Sequence, residues 1–348
     1  MQRALPLLLL LAALWPLSSS AADISLPRDA GSHPAARTEW WYVTGWLRTE
    51  DGGDLGFQVT FFRSRAQGND DNPSRFAPRQ ILFAHAAVSD PRIGHLLGDQ
   101  RAARAGFGLA EAQEGKTDVW IDDWSLRQAG DGDGYTIQLP AREFSLALAL
   151  KTMQPPLLNG PGGLSRKGPD PVATSRYYSQ PQLLAKGTVA RGGKNEPVTG
   201  SAWLDHEWSD SYLEADAVGW DWTGLNLADG GALMLFRVRD KNGDTRWAGG
   251  TLRKPDGSVT LYQPGDIRFT PVRQWRSPRS GTSYPVAWHI DAKGLEFDLT
   301  PMMDDQENDA RATAGTIYWE GAVRALQTGR EIGRGYLELT GYWRPLRL

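Results

Sequence analysis

Clusters of Gly, Asp and Asn recur along this chain at short intervals, and they set what it can fold into. Glu50-Asp51-Gly52-Gly53-Asp54, Gly130-Asp131-Gly132-Asp133-Gly134, Asp229-Gly230-Gly231, Lys241-Asn242-Gly243-Asp244 and Pro255-Asp256-Gly257 supply the positive-φ positions that tight hairpins require. Between and around them lie short runs rich in aromatic and β-branched residues: 40–47, 55–63, 81–88, 117–126, 135–139, 144–150, 183–189 and 199–204. Helical periodicity is scarce, and its best stretch, 100–115, is weak. The pattern predicts an all-β protein made of antiparallel sheets.

One segment departs from the hairpin rhythm. Residues 153–181 contain Pro155, Pro156, Pro161, Pro169, Pro171 and Pro181 together with Gly160, Gly162, Gly163 and Gly168. Proline cannot donate to a strand ladder, so this stretch is expected to be a long loop of the first domain. An acidic, Ala-rich joint near 213–218 is the expected domain boundary, giving domains over 23–213 and 214–348.

Composition narrows the chemistry. The 348 residues hold 38 Lys+Arg against 41 Asp+Glu, a net charge of −3, which argues against nucleic acid as a partner. There is no Cys, which removes disulfides, thiolate metal sites and cysteine nucleophiles. Residues 1–22 read as a signal peptide: a basic start at Arg3, an apolar stretch, then Ser18-Ser19-Ser20-Ala21-Ala22 as the cleavage region. The mature chain is therefore expected to be secreted, periplasmic or extracellular, monomeric, and without stable membrane insertion.

The chain's oddity is its 15 Trp. Strand side chains alternate, so Trp40, Tyr42 and Trp46 share one face while Trp41 and Val43 take the other. Likewise Leu204, His206 and Trp208 oppose Trp203, Asp205 and Glu207, and Trp220 and Trp222 oppose Asp221. Most of these indoles are expected to cover the core. A subset can wall an apolar cavity that carries a few polar groups.

These residues also carry a family resemblance. Glu39-Trp40-Trp41-Tyr42, Phe83-Ala84-His85-Ala86, Arg176-Tyr177-Tyr178-Ser179, the run from Gly200 to Trp208 and the run from Gly335 to Tyr342 resemble the AttH family, which is related to the carotenoid 1,2-hydratases. The resemblance covers nearly the whole mature chain. It implies two lipocalin-like β-barrel domains in tandem, an exported protein and, in some members, association with an ABC-type exporter. A His-x-Trp pair is implicated in the hydratases, and it matches His206 and Trp208, with Asp205 beside them. The later strand that brings a Tyr and an Asp in the hydratases corresponds here to residues 232–239, which contain neither. That departure counts against a carotenoid substrate.

Hydrating an alkene needs a proton donor, a site tolerant of a carbocation and a placed water. A carboxylic acid in apolar surroundings retains its proton, and indole faces stabilise positive charge. The candidate catalytic residues are therefore His206, Asp205, Trp208 and, as a substitute donor, Asp221. The candidate ligand-binding residues are Trp40, Trp41, Tyr42, His85, Tyr177, Tyr178, Trp220, Trp222 and Arg237. Against this stands a structural reading, in which His206 ties strands and Asp205 and Glu207 pair with Arg176, Arg237 or Arg239. No metal and no cofactor is expected, because adjacent strand residues diverge and no second His stands at ligand spacing. No Gly-x-Ser-x-Gly elbow is present. Two functions remain: a hydratase-like lyase acting on an apolar, isoprenoid or lipid molecule, or a non-catalytic carrier of such a molecule serving an exporter.

Overall fold

The computed structural model describes residues 23–68, 72–130 and 132–346. The expected signal peptide lies outside the described residues. Among those residues, nearly all regular structure is strand, arranged in two antiparallel sheets. Among the described residues no helix is long and apolar enough to cross a membrane.

The first sheet has thirteen strands and runs from Thr38–Thr49 to Lys194–Ser211. These two strands, first and last in sequence, pair with each other, Thr38–Thr49 along its whole length. On one side the chain continues through Asp54–Arg65, Gln80–Ser89 and Leu96–Arg104; on the other it passes through Thr174–Arg191, Phe144–Lys151 and Gly134–Pro140. The sheet curls until Asp118–Ile121 approaches Gln80–Ser89 and Leu96–Arg104, so that a barrel nearly closes. The second sheet, of ten strands, covers Ala217–Leu227 to Arg330–Leu339, again with its first and last strands paired. The fold is all-β, with two lipocalin-like barrels in tandem.

Alternation along these strands produces three apolar layers. Trp41, Val43, Leu204 and Trp208 point into the first barrel with Val59, Phe61 and Trp124. Leu225, Leu235, Trp288 and Trp319 fill the second. Tyr42, Trp46, Tyr177 and Trp203 face outward from the first barrel and meet Trp222, Met234, Phe236 and Tyr336 of the second. Burial of both faces is why these strands carry near-continuous apolar runs. At the junction Trp46 Nε1 donates to the Gly335 carbonyl at 2.9 Å, and Ser89 Oγ donates to Gln306 Oε1 at 2.7 Å. Gly56 allows the closest approach, since a Cβ there would stand 2.6 Å from Tyr336 Oη and 2.8 Å from Ala322 Cβ.

Two local expectations are corrected. The weak helix over 100–115 is instead the strand Leu96–Arg104, paired with Gln80–Ser89, then a turn and the short strand Ala110–Ala112. Gly106, Phe107 and Gly108 all take positive φ, which no helix contains. The long loop over 153–181 holds two short strands, and Thr174–Arg191 begins inside it. Pro181 is tolerated in that strand because it sits at a bulge, where the register shifts between Gln180 and Leu183 and Gln182 turns to a φ of 57°.

Candidate functional site

A cavity of about 300 Å³ opens between the two barrels. Its wall from the first barrel includes Trp40, Tyr42, Phe62, Phe83, His85, Tyr177, Asp205, Glu207 and Tyr212. Trp220, Trp222, Tyr318, Glu320 and Glu338 supply the wall from the second. All but Tyr212, which follows the end of Lys194–Ser211, project from a strand face turned toward the neighbouring barrel.

Asp205 is 3 % exposed and accepts three hydrogen bonds: from Trp203 Nε1 at 2.7 Å, Ser179 Oγ at 2.5 Å and Tyr177 Oη at 2.9 Å. Tyr177 Oη in turn accepts from Trp222 Nε1 of the second barrel at 2.9 Å. Burial pushes the Asp205 carboxyl up to about 7 despite these donors. Glu207, two residues on and on the same face, pairs with the buried Lys167 at 2.7 Å and accepts from Ser175. Burial drives both members of that pair toward their neutral forms, and their mutual attraction opposes it.

The second wall carries two carboxyls that are direct cross-strand partners, Glu320 and Glu338. Trp220 Nε1 donates to Glu338 Oε2 at 2.6 Å. Burial raises Glu338 to about 7 and Glu320 well above its ordinary value, with each carboxyl next to the other. Among the described residues neither has a Lys, Arg or His at ion-pair distance, so like charges opposite each other cannot both ionise without a large cost. Tyr42 Oη and Glu320 Oε1 lie near enough to affect each other's ionisation, yet neither completes a hydrogen bond.

His85 bridges the barrels above this pair. Its Nδ1 stands 2.8 Å from Tyr318 Oη and its Nε2 2.8 Å from Thr313 Oγ1. Thr313 donates to Gln100 Oε1, whose amide nitrogen is already committed to the Asp309 carbonyl. Thr313 Oγ1 must therefore accept from His85 Nε2–H, which leaves Nδ1 as the acceptor for Tyr318. Burial lowers the His85 pKa to about 3, so the ring is neutral.

The structure thus brings Trp40, Tyr42, His85, Tyr177, Asp205, Trp220 and Trp222 to one cavity. It does not bring Trp41, Tyr178, His206, Trp208, Asp221 or Arg237 there. Strand alternation sends His206 and Trp208 into the first barrel, where His206 is fully buried between Trp41, with ring centroids 4.8 Å apart, and Trp208 at 4.9 Å. Tyr178 Oη lies 3.3 Å from His206 Nδ1 on that inner side. Asp221, aimed into the second barrel, is held by Arg237 at 2.7 Å, Arg239 at 3.1 Å and Tyr342 Oη at 3.0 Å, so it is a paired ion rather than a free donor. Arg237 lies over the inner rings of Phe269 and Trp288.

His206 stands one hydrogen bond behind the cavity wall. Its Nε2 lies 2.9 Å from Oε1 of Glu39, a cavity-bordering carboxylate that also takes His33 Nδ1 at 2.8 Å and Arg63 Nε at 2.7 Å. Burial pushes Glu39 up, but His206, His33 and Arg63 outweigh it and hold the group well below the carboxylate range. Burial lowers the His206 pKa while Glu39 opposes that shift. His33, Glu39 and His206 have the side-chain types of a metal site and gather within 4.8 Å. Their spacings are those of hydrogen bonds, and the Arg63 guanidinium already supplies the positive charge a cation would bring.

The sequence reading missed Glu320, Glu338, Tyr318, Tyr212 and Lys167, and it took Glu207 only as a structural ion. A signal existed in residues 317–320 and 335–338, where a carboxylate interrupts an otherwise apolar strand on the same face as a tyrosine two residues away.

The AttH-like family model matches residues 18–342. A crystal structure of an AttH-like protein from Nitrosomonas europaea superposes with a TM-score of 0.87 at 48 % identity, covering 95 % of this chain and 99 % of that one. Kievitone hydratase from Nectria haematococca follows at a TM-score of 0.70 and 13 % identity, covering 94 % of this chain and 95 % of its own. CghA in complex with Sch210972 matches at 0.53 and 13 % identity, covering 88 % and 89 %. At those identities the two show a shared fold. The chain matches no curated protein sequence. By the family model and the identity to its Nitrosomonas relative, the chain belongs to the AttH-like family.

Proposed function

We propose that this protein is a hydratase-like lyase that adds water to a carbon–carbon double bond of an apolar small molecule held between the barrels. One observation carries the reading: an aromatic cavity whose wall holds carboxyls that keep a proton up to about pH 7, the half-buried Glu338 and the buried Asp205, with the buried Glu320 above them. Such an acid is matched to proton donation at neutral pH. The Glu320–Glu338 pair is the best placed donor, because Glu338 accepts a single side-chain hydrogen bond, from Trp220, whereas Asp205 already accepts three. Glu338 gives its proton to one alkene carbon, and the other carbon becomes electron-deficient beside the indoles of Trp40, Trp220 and Trp222. Water adds to that carbon and loses a proton to Glu207, whose charge Lys167 supports. Transfer of that proton back to Glu338 closes the cycle, so the net change is alkene plus water to alcohol.

In this proposal His206 is a positioning residue that holds Glu39, and Asp221 and Arg237 brace the second barrel. The N-terminal segment further leads us to propose export to the periplasm or beyond. Carriage without chemistry, in service of an ABC-type exporter, is the second reading, favoured by the eight Phe, Tyr and Trp side chains from Trp40 to Trp222 that would hold an apolar body without reacting with it.

The test is retention of molecules from a lipid and terpenoid extract, their identification by mass spectrometry, and incubation of each retained alkene in heavy-oxygen water. The proposal expects label in the product, lost in Glu338→Gln and kept in His206→Gln at reduced rate. Retention without any label supports carriage and rejects the lyase.

A further inference from the structure

The cavity has more acid than it has base. Of its wall carboxyls, Glu39 is neutralised by Arg63 and Glu207 by Lys167. Asp205, Glu320 and Glu338 have no cation at ion-pair distance among the described residues. Glu320 is 3 % exposed and Tyr42 7 %; Tyr42 Oη and Glu320 Oε1 neighbour each other at the cavity wall, without closing to full hydrogen-bond geometry. Buried polar atoms are rarely left so unless something else completes them.

The rings facing these oxygens stand as walls rather than as a stack. Trp40 meets Tyr212 at 72° with centroids 5.0 Å apart, and Tyr212 meets Trp220 at 67° and 5.4 Å. Tyr42 and Trp222 meet at 85° and 5.2 Å. These edge-to-face contacts pack the rings against one another along the cavity wall, and an aromatic wall beside carboxyls is a setting that accepts an ammonium group.

We infer that the cavity binds an organic cation, an apolar amine or quaternary ammonium, with its charge set against Glu320 and Glu338 and its carbon body among the Trp40, Tyr212 and Trp220 rings. This goes beyond the hydration reading and stands whether or not water is added. The same site would tolerate a carbocation, but a stable ammonium tests the charge preference directly.

Binding is coupled to protons. The groups facing the acid pair are Tyr42, Tyr318 and Tyr336 around Glu320, and Trp220, Tyr212 and Glu207 around Glu338, with neutral His85 behind Tyr318 and the Asp221 charge acting on Glu338 from the other face of its strand. None of these is a free cation, Asp221 being paired away with Arg237 and Arg239. A bound ammonium favours the ionised carboxylates, so affinity rises as pH increases toward 8 and protons are released below that.

Benzyltrimethylammonium and its neutral isostere neopentylbenzene are the probes, titrated into the full chain with tryptophan fluorescence as the readout at pH 5.5 and pH 8. The ammonium is expected to bind at least tenfold tighter than the isostere at pH 8, and tenfold tighter at pH 8 than at pH 5.5. Its calorimetric enthalpy should also depend on the ionisation heat of the buffer. In Glu320→Gln/Glu338→Gln the ammonium preference should vanish while neopentylbenzene still binds. Equal affinity for both probes, no pH dependence, binding of neither probe, or an undiminished preference in the double variant would overturn the inference. The wild-type pH and isostere comparisons hold even if the variant fails to fold. Ammonium binding without label incorporation would reject the lyase and leave this inference standing.

Discussion

Glu320 and Glu338 stand directly opposite each other on the paired strands Thr316–Gln327 and Arg330–Leu339, Glu320 buried and Glu338 half-buried, and among the described residues no basic side chain stands at ion-pair distance from either. Like charges in register on adjacent strands destabilise a sheet unless one is neutral. Their carboxyls therefore retain protons that an exposed glutamate would have lost, and this pair makes the interbarrel cavity acidic in the chemical sense.

Stability should fall as pH rises through the mildly acidic range. Glu338 titrates at about 7 in the folded chain against an ordinary value of 4.5, so between these values the unfolded state has released its proton while the folded state keeps it. The contribution is complete below about pH 4.5 and lost by about pH 7, at roughly 1.4 kcal/mol per pH unit for one such group. Glu338→Gln should flatten this slope and leave the protein more stable than wild type at pH 8, measured by urea unfolding across pH 5–8.

Acid should unfold the chain through a different set. Glu39 is held below its ordinary range and His85 at about 3, so falling pH protonates these groups in the unfolded state first. Stability present above the unfolded values is lost as pH drops toward the folded ones. Glu39→Gln should shift the acid-unfolding midpoint upward in far-ultraviolet circular dichroism.

Lys167 is fully buried beside Glu207, with Tyr177, Tyr212 and Phe236 rings around its ammonium. Lys167→Met strands the carboxylate and should cost about 3–5 kcal/mol at pH 7. The double variant Lys167→Met/Glu207→Gln should recover most of that loss in the same denaturant measurement.

The barrels meet where Gly56 has no side chain. Gly56→Val would drive methyl groups into Tyr336 and Ala322 and should cost about 1–3 kcal/mol. Thermal unfolding followed by tryptophan fluorescence checks this, since Trp46, Trp203 and Trp222 sit in the same layer.

Much of the architecture was legible because hairpin proteins advertise their turns: Gly52, Gly132, Gly230, Gly243 and Gly257 all take positive φ at the clusters that marked them. Period-two alternation also divided Trp40 from Trp41 and Asp205 from His206. What alternation cannot tell is which face meets a cavity and which meets a core, because both faces of these strands are buried. His206 and Trp208 attract attention by their chemistry, yet their face is the filled inside of the first barrel. Glu320 and Glu338 were not singled out, since it is the meeting of the second barrel with the first that makes a cavity wall of their strand face. Pro181 hid a strand because a bulge relieves the missing N–H at that one position.

The central claim is that the cavity wall carries protonated acid at neutral pH. Carbon-13 NMR of protein labelled at Asp Cγ and Glu Cδ measures it, with Asp205→Asn and Glu338→Gln assigning the two resonances. The account predicts that both carboxyls titrate near pH 7 and remain protonated at pH 6. Titration of both in the ordinary carboxylate range near pH 4 would contradict it.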